Sequence, residues 1–232
     1  RAVSAQILTQ YKIHPSKVLA RYVNLVGKAV LAAPEAAATC YGYHFVVLEG
    51  DDLQAVSTPG GFVFLTEGTV RRAKDEDELA AVLAHEVAHV TLKHGIGSIK
   101  AATRQQAAKL LIASAGEIGT QAAGARGPQT QNAVELAAVL GNSVGDISST
   151  LLVTGYSRDS EVAADKLAAK IRESSRYARP ARASCLRGVA AEGSGGKGGW
   201  TATHPKPEDR INELGELATG DSPGRPVRKQ RF

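Results

Sequence analysis

The sequence predicts an α+β fold that is mostly helical, with a small, mostly antiparallel sheet. Residues 14–33 carry apolar side chains at helical spacing. Residues 43–68 are rich in β-branched and aromatic side chains and are punctuated by glycine and proline, which favours two or three short strands with tight turns. The remaining chain returns to helical patterns. Helix, then strands, then helices is the order typical of this class.

Each helix has a local signal. Pro15 and Ser16 are suitable start residues for the first helix. The acidic run "KDEDEL" at 74–79 favours the start of a long helix, because negative charge is stabilised near a helix N-terminus. Residues 101–115 continue in helical spacing, a further helix is expected over 156–172, and a short one near Pro207. We expect one domain over 1–232, with flexible loops at 116–132 and 192–200.

Composition excludes some functions. The chain has 28 Lys and Arg against 23 Asp and Glu, a net charge of +5 that is concentrated in the C-terminal tail. Such a modest excess indicates that the charged side chains hydrate the protein surface and do not bind nucleic acid. No apolar run approaches the ~20 residues of a transmembrane helix. Methionine is absent, so Arg1 is not a native start. We therefore expect that a signal peptide was removed or lies outside the given sequence. We also expect a periplasmic or otherwise extracytoplasmic location. For Cys40 and Cys185, a disulfide and two inert thiols both stay open.

The stretch "VLAHEVAHVTLKHG" at 82–95 carries the chemistry. On a helix, His85 and His89 lie ~40° apart around the axis and one turn apart along it, so both imidazoles can reach one ion. Zinc accepts neutral imidazole nitrogens and keeps one position for water in catalytic sites. Glu86 can approach that water and take its proton. The alternative is a pair of core histidines beside an exposed glutamate.

A third ligand is needed, and two regions could supply it. His94 is five residues beyond His89, a rotation of ~140° that points it away from the ion. This position suits a surface residue, or a residue at the helix C-terminus just before a stop at Gly95. Glu161 and Asp165 are four residues apart and share one helix face. There Glu161 would bind zinc and Asp165 would accept a hydrogen bond from a ligating histidine. A solvated acidic face is the alternative for this pair.

Three ordered motifs resemble one known family: "EDELAAVLAHEVAHVTLKHG", "YSRDSEVAADKLA" and "THPKPEDRI". They are similar to the zinc endopeptidases that include the CAAX prenyl protease and HtpX, and most similar to the soluble bacterial members. The resemblance implies a zincin-like gluzincin fold, zinc ligands His85, His89 and Glu161, and Glu86 as general base. It also implies that the strand after Gly60 and Gly61, with Phe62 and Val63, is a free edge to which an extended peptide can add. The membrane helices of the first two branches have no counterpart in this sequence.

The third motif offers two further residues. Arg210 could anchor its segment by a fork onto a carboxylate. His204 follows a glycine-rich link and could reach the open side of the metal. It would then stabilise an oxyanion, or bind the metal and keep the enzyme shut. An exposed histidine in a surface loop is the third possibility.

These observations predict a zinc metalloendopeptidase with one Zn²⁺ per chain. It would hydrolyse unfolded or damaged polypeptides, in extended conformation, for protein quality control in a bacterial envelope. The alternative is a latent or non-proteolytic zinc protein that acts as a chaperone-like binding module. A piece of a longer chain, whose other part delivers substrates, also stays open.

Overall fold

The computed structural model describes residues 2–120, 155–178, 180–191, 207–214 and 225–232. In chain order the elements are α1 (Ala2–Gln10), α2 (Lys17–Leu31), β1 (His44–Leu48), β2 (Ala55–Ser57), β3 (Phe62–Thr66), α3 (Glu67–Arg72), α4 (Glu76–Thr91), α5 (His94–Thr120), α6 (Arg158–Ser174), α7 (Ala181–Ala191), α8 (Pro207–Leu214) and α9 (Arg225–Arg231). The predicted α+β, mostly helical class is confirmed.

The sheet is mixed and has the order β1-β3-β2. β2 and β3 are antiparallel, as the Pro-Gly-Gly turn between them predicts, and Gly61 N–H donates to Thr58 O at 3.0 Å inside that turn. β1 lies on the other side of β3 and runs parallel to it, so the arrangement is not mostly antiparallel. The turn fixes the local hairpin, whereas the place of β1 depends on helix packing that a strand pattern does not encode.

β3 is therefore the central strand, and the expectation that it forms a free edge is wrong. Val63 is paired with Phe45 of β1 on one side and with Ser57 of β2 on the other. Phe62 is likewise paired with β1, and its carbonyl accepts from Thr58 N–H at 2.9 Å. With its ladder groups used on both sides, the strand that follows Gly60 and Gly61 has no row of groups left for a peptide.

Helix α4 runs through the centre of the core. Every side chain from Glu76 to His89 is buried. Its alanines allow close approach of α6, which contributes Ala164, Ala168 and Ile171, and its larger apolar residues pack against α2 and the sheet. A helix buried on all sides lacks an amphipathic stripe, which explains why residues 79–84 are apolar on every face of the helix.

The first turn of α4 buries four consecutive acidic side chains, each at most 4% exposed: Asp75, Glu76, Asp77 and Glu78. All of them have hydrogen-bond partners. Asp75 caps the helix by accepting from Glu78 N–H at 2.9 Å, Tyr22 donates to Glu76 at 2.9 Å, and Arg228 donates to both oxygens of Asp77 at 2.9 and 3.1 Å. The acidic run thus starts the helix as predicted and also ties it to α2 and α9.

Helix α4 ends four residues before Gly95, which the pattern predicts as the stop. Lys93 has φ of 58° and turns the chain, and α5 begins at His94. Residues 101–115 are helical as predicted, and so are 116–120, which shortens the predicted loop. The rest of that loop and 192–200 lie outside the described residues. Among the helices described, none is both long and apolar enough to cross a membrane.

Candidate metal centre

Two helices bring three ligand-type side chains to one point in the core. His85 and His89, one turn apart on α4, have Nε2 atoms 3.0 Å apart. Glu161, in the first turn of α6, faces both: Oε1 is 3.2 Å from His89 Nε2 and Oε2 is 3.4 Å from His85 Nε2. All three side chains are at most 1% exposed. Their ligand atoms lie within 4.8 Å of one another, which one ion can bridge.

The chemistry of these donors fits zinc. Two imidazole nitrogens and one carboxylate oxygen are a common catalytic set, which leaves a fourth tetrahedral position for water. Burial, with the charge of Arg182, lowers the pKa of His85 from 6.5 to about 4. The imidazole is therefore neutral at pH 7 and keeps the lone pair that a metal requires.

Glu86 supplies a second sign that the site is built for a cation. It is 1% exposed, and within the described residues neither carboxylate oxygen accepts a hydrogen bond. Burying a charged carboxylate without partners is costly, so such a group points to a charge or a reactant that the described residues do not provide.

Asp165, one turn beyond Glu161, holds His85 from behind. Its Oδ1 is 2.9 Å from His85 Nδ1, so the imidazole carries its proton on Nδ1 and presents the Nε2 lone pair to the ligand cluster. Burial alone would raise the pKa of Asp165, but Arg182, His85 and Arg210 hold it well below its ordinary value. Asp165 is thus an anion that fixes the orientation and tautomer of His85.

Arg210 forms the predicted carboxylate fork. Its Nε and Nη2 donate to the two oxygens of Asp165 at 2.8 and 2.7 Å, and Nη1 lies 3.1 Å from Glu161 Oε2. Burial would lower the pKa of Arg210, but these carboxylates raise it above its ordinary value. The segment after the glycine-rich link is thereby anchored directly to the ligand cluster.

Comparison with known proteins identifies the class of this site. Residues 19–218 match the model of Peptidase family M48. The chain belongs to this family. The resemblance drawn from the three motifs is confirmed. The M48 chain accordingly has a zincin-like fold and belongs to a family of metalloproteases.

Named relatives are similar over most of the M48 chain. A β-barrel assembly-enhancing protease of Yersinia pestis is 26% identical over 208 residues, which is 89% of this chain and 40% of the relative. The protein of that name in Escherichia coli K12 is 26% identical over 196 residues, 84% of this chain and 38% of the relative. The mitochondrial metalloendopeptidase OMA1 of Schizosaccharomyces pombe is 30% identical over 206 residues, 88% of this chain and 53% of the relative. The M48 chain spans about two fifths of the bacterial relatives.

Sequence reasoning did not assign three residues to the M48 site: Arg182, Tyr156 and His94. Arg182 of α7 is buried and donates through Nε to Asp165 at 3.0 Å. Its signal is weak: an arginine between two alanines in a region that matched no motif. Tyr156 stacks on His89, with ring centroids 4.1 Å apart and planes 19° apart. His94 Nδ1 lies 3.0 Å from His89 Nδ1.

His94 is outside the three-ligand cluster, but it does not point away from the site. The rotation argument assumes an unbroken helix, and the turn at Lys93 breaks it. His204, in contrast, lies outside the described residues, and its three possible roles stay predictions.

Proposed function

We propose that this chain is a zinc-dependent endopeptidase domain that binds one zinc ion through His85, His89 and Glu161. The convergence of these three buried side chains beside the buried carboxylate of Glu86 is the observation that supports it most. A structural zinc site normally has four protein ligands, and it has no need of a base next to the metal.

We assign one role to each of these side chains. Zinc, when bound, supplies a Lewis acid that polarises a carbonyl and acidifies a water molecule. Glu86 accepts the proton of the attacking water and returns it to the leaving amine nitrogen. Asp165 holds the proton of His85 on Nδ1, and Arg210 aligns the carboxylates of Asp165 and Glu161 through its fork. Because these groups are buried, their positions are set before substrate arrives.

For substrate and location, we propose unfolded or damaged polypeptides in a bacterial envelope. The names of two relatives refer to β-barrel assembly, and closed barrels are the spanning fold of bacterial outer membranes. A protease that removes failed barrel precursors would meet them as extended chains, the form that proteases bind by strand addition.

The strand that receives such a substrate is not β3. On β1, the outer edge already bonds to residues 12–14, with His14 N–H donating to Val47 O and Glu49 N–H donating to Lys12 O. β2 packs against α4, and Ser57 at its end lines the pocket that also contains His89. We infer that an extended substrate approaches along β2.

Hydrolysis of casein tests the proposed function. Activity should disappear when a chelator removes the metal and should return when stoichiometric zinc is added. Full zinc occupancy without any cleavage of casein or of unfolded barrel proteins would overturn the proposal in favour of the binding module.

A further inference from the structure

Both ligating histidines contact a partner on the nitrogen that faces away from the cluster, but the two partners differ. His85 has the carboxylate of Asp165 at Nδ1, at 2.9 Å. His89 has the imidazole of His94 at Nδ1, at 3.0 Å. We infer that His94 is a positioning residue that fixes the ring and the tautomer of His89 as a metal ligand. The inference rests on the proposed zinc site.

The backbone turn between α4 and α5 makes this contact possible. α4 ends at Thr91, and Lys93 adopts φ of 58°, a left-handed conformation that non-glycine residues seldom take. The turn folds the first residue of α5 back over the last turn of α4. The His94 and His89 ring centroids are consequently 5.0 Å apart, with planes at 73°, so that the edge of one ring meets the other.

Tyr156 completes the enclosure of His89. Its ring covers one face of the imidazole, with centroids 4.1 Å apart and planes 19° apart, and lies 5.8 Å from the ring of His94. A ring that is stacked on one face and held at one edge has little freedom to rotate. The direction of Nε2 toward Glu161 is therefore set by His94 of α5 and by Tyr156, two residues before α6, and not by α4 alone.

The hydrogen-bond chemistry assigns the protons. To bind a metal, Nε2 of His89 must be a lone pair, so a neutral ring carries its proton on Nδ1. Nδ1–H can donate to His94 only if Nδ1 of His94 is an acceptor, which requires the Nε2–H tautomer of that ring.

Two substitutions of His94 distinguish the effect of its hydrogen-bond acceptor from the effect of its packing. His94→Asn places an amide oxygen near the position of Nδ1 and keeps the acceptor. His94→Leu fills similar space and removes the acceptor. Loss of such an outer partner costs about 10–100-fold in metal affinity, so we expect zinc to bind His94→Leu that much more weakly and His94→Asn within about threefold of the parent. Zinc affinity is measured by competition with a chromophoric chelator at pH 7.5.

Proton NMR of the zinc-loaded proteins observes the Nδ1 proton of His89 directly. The Nδ1–H resonance of His89 should be downfield and slow to exchange with water in the parent and in His94→Asn. It should be absent or in fast exchange in His94→Leu. Far-UV circular dichroism of each metal-free variant checks folding.

The inference is overturned if His94→Leu binds zinc like the parent, or if both variants are weakened equally and the His89 resonance is unchanged. Zinc binding without casein cleavage would refute the proposed function and leave these comparisons valid. A parent chain that binds no zinc would overturn both.

Discussion

Replacing Asp165 by asparagine tests the electrostatic construction of the site. The side chain is 3% exposed and receives Arg182 Nε at 3.0 Å, the fork of Arg210 at 2.7 and 2.8 Å, and His85 Nδ1 at 2.9 Å. Asparagine keeps the shape but replaces the anion by an amide. The amide nitrogen of asparagine is a hydrogen-bond donor, and it must face one of the donors that now bind the carboxylate.

The expected loss of stability is large for a single isosteric substitution. Removing one partner of a buried ion pair costs about 3–5 kcal/mol, because the remaining charge stays buried without compensation. In a chain of 150–250 residues each kcal/mol lowers Tm by roughly 2–4 °C, so the metal-free variant should melt about 6–20 °C below the parent. Zinc affinity should fall by about 10–100-fold, since His85 loses the partner that fixes its tautomer.

The assay is thermal unfolding of the metal-free proteins by circular dichroism at pH 7, followed by zinc titration. Asp159→Asn is the matched control: it lies in the same helix, α6, but is exposed. The free energy of unfolding of Asp159→Asn should fall by less than about 1 kcal/mol, the usual size of a helix-dipole contribution. If the two variants melt together, the argument that Asp165 neutralises buried arginines is refuted.

Other outcomes follow from the same geometry. Glu86→Gln should keep its zinc, measured by metal analysis, but lose more than ~10²–10⁴-fold in turnover, and near-parent activity would contradict the general-base role. Glu161→Ala should lose zinc and activity together, and parent-like zinc affinity would place the third ligand elsewhere. The pKa of His85 is lowered to about 4, so the unfolded chain takes up a proton near pH 6.5 and the folded chain does not. The free energy of unfolding of the metal-free protein should thus fall between pH 6.5 and pH 4, by on the order of 3 kcal/mol in urea titrations, and a flat profile would contradict this. His204→Ala should lower kcat by ~10²-fold or more if this histidine stabilises an oxyanion, and raise activity if it shuts the site.

The sequence predicts well what depends on local spacing. His85 and His89 are one helical turn apart, as are Glu161 and Asp165, so each pair is visible without tertiary information. The family resemblance then supplies the relation between the two helices, and the structure places Glu161 against both histidines.

Features that depend on helix ends and strand order escape such reasoning. No residue type announces the left-handed conformation of Lys93, so the contact of His94 with His89 is invisible in the pattern. The central place of β3 follows from the side on which β1 joins, which a strand pattern leaves open. Arg182 resembles a surface arginine until its helix is seen packed against α4.

The four buried acids in the first turn of α4 have a consequence for the resistance of the protein to proteolysis. They join this helix to α2, to Tyr177 and Ala178 after α6, to Ser184 of α7 and to Arg228 of α9. An amide in the middle of α4 can meet solvent only when these anchors release together. Its hydrogen exchange should therefore occur only through global unfolding. We therefore expect that a second copy cannot cleave the helix that carries His85 and His89 while the chain is folded.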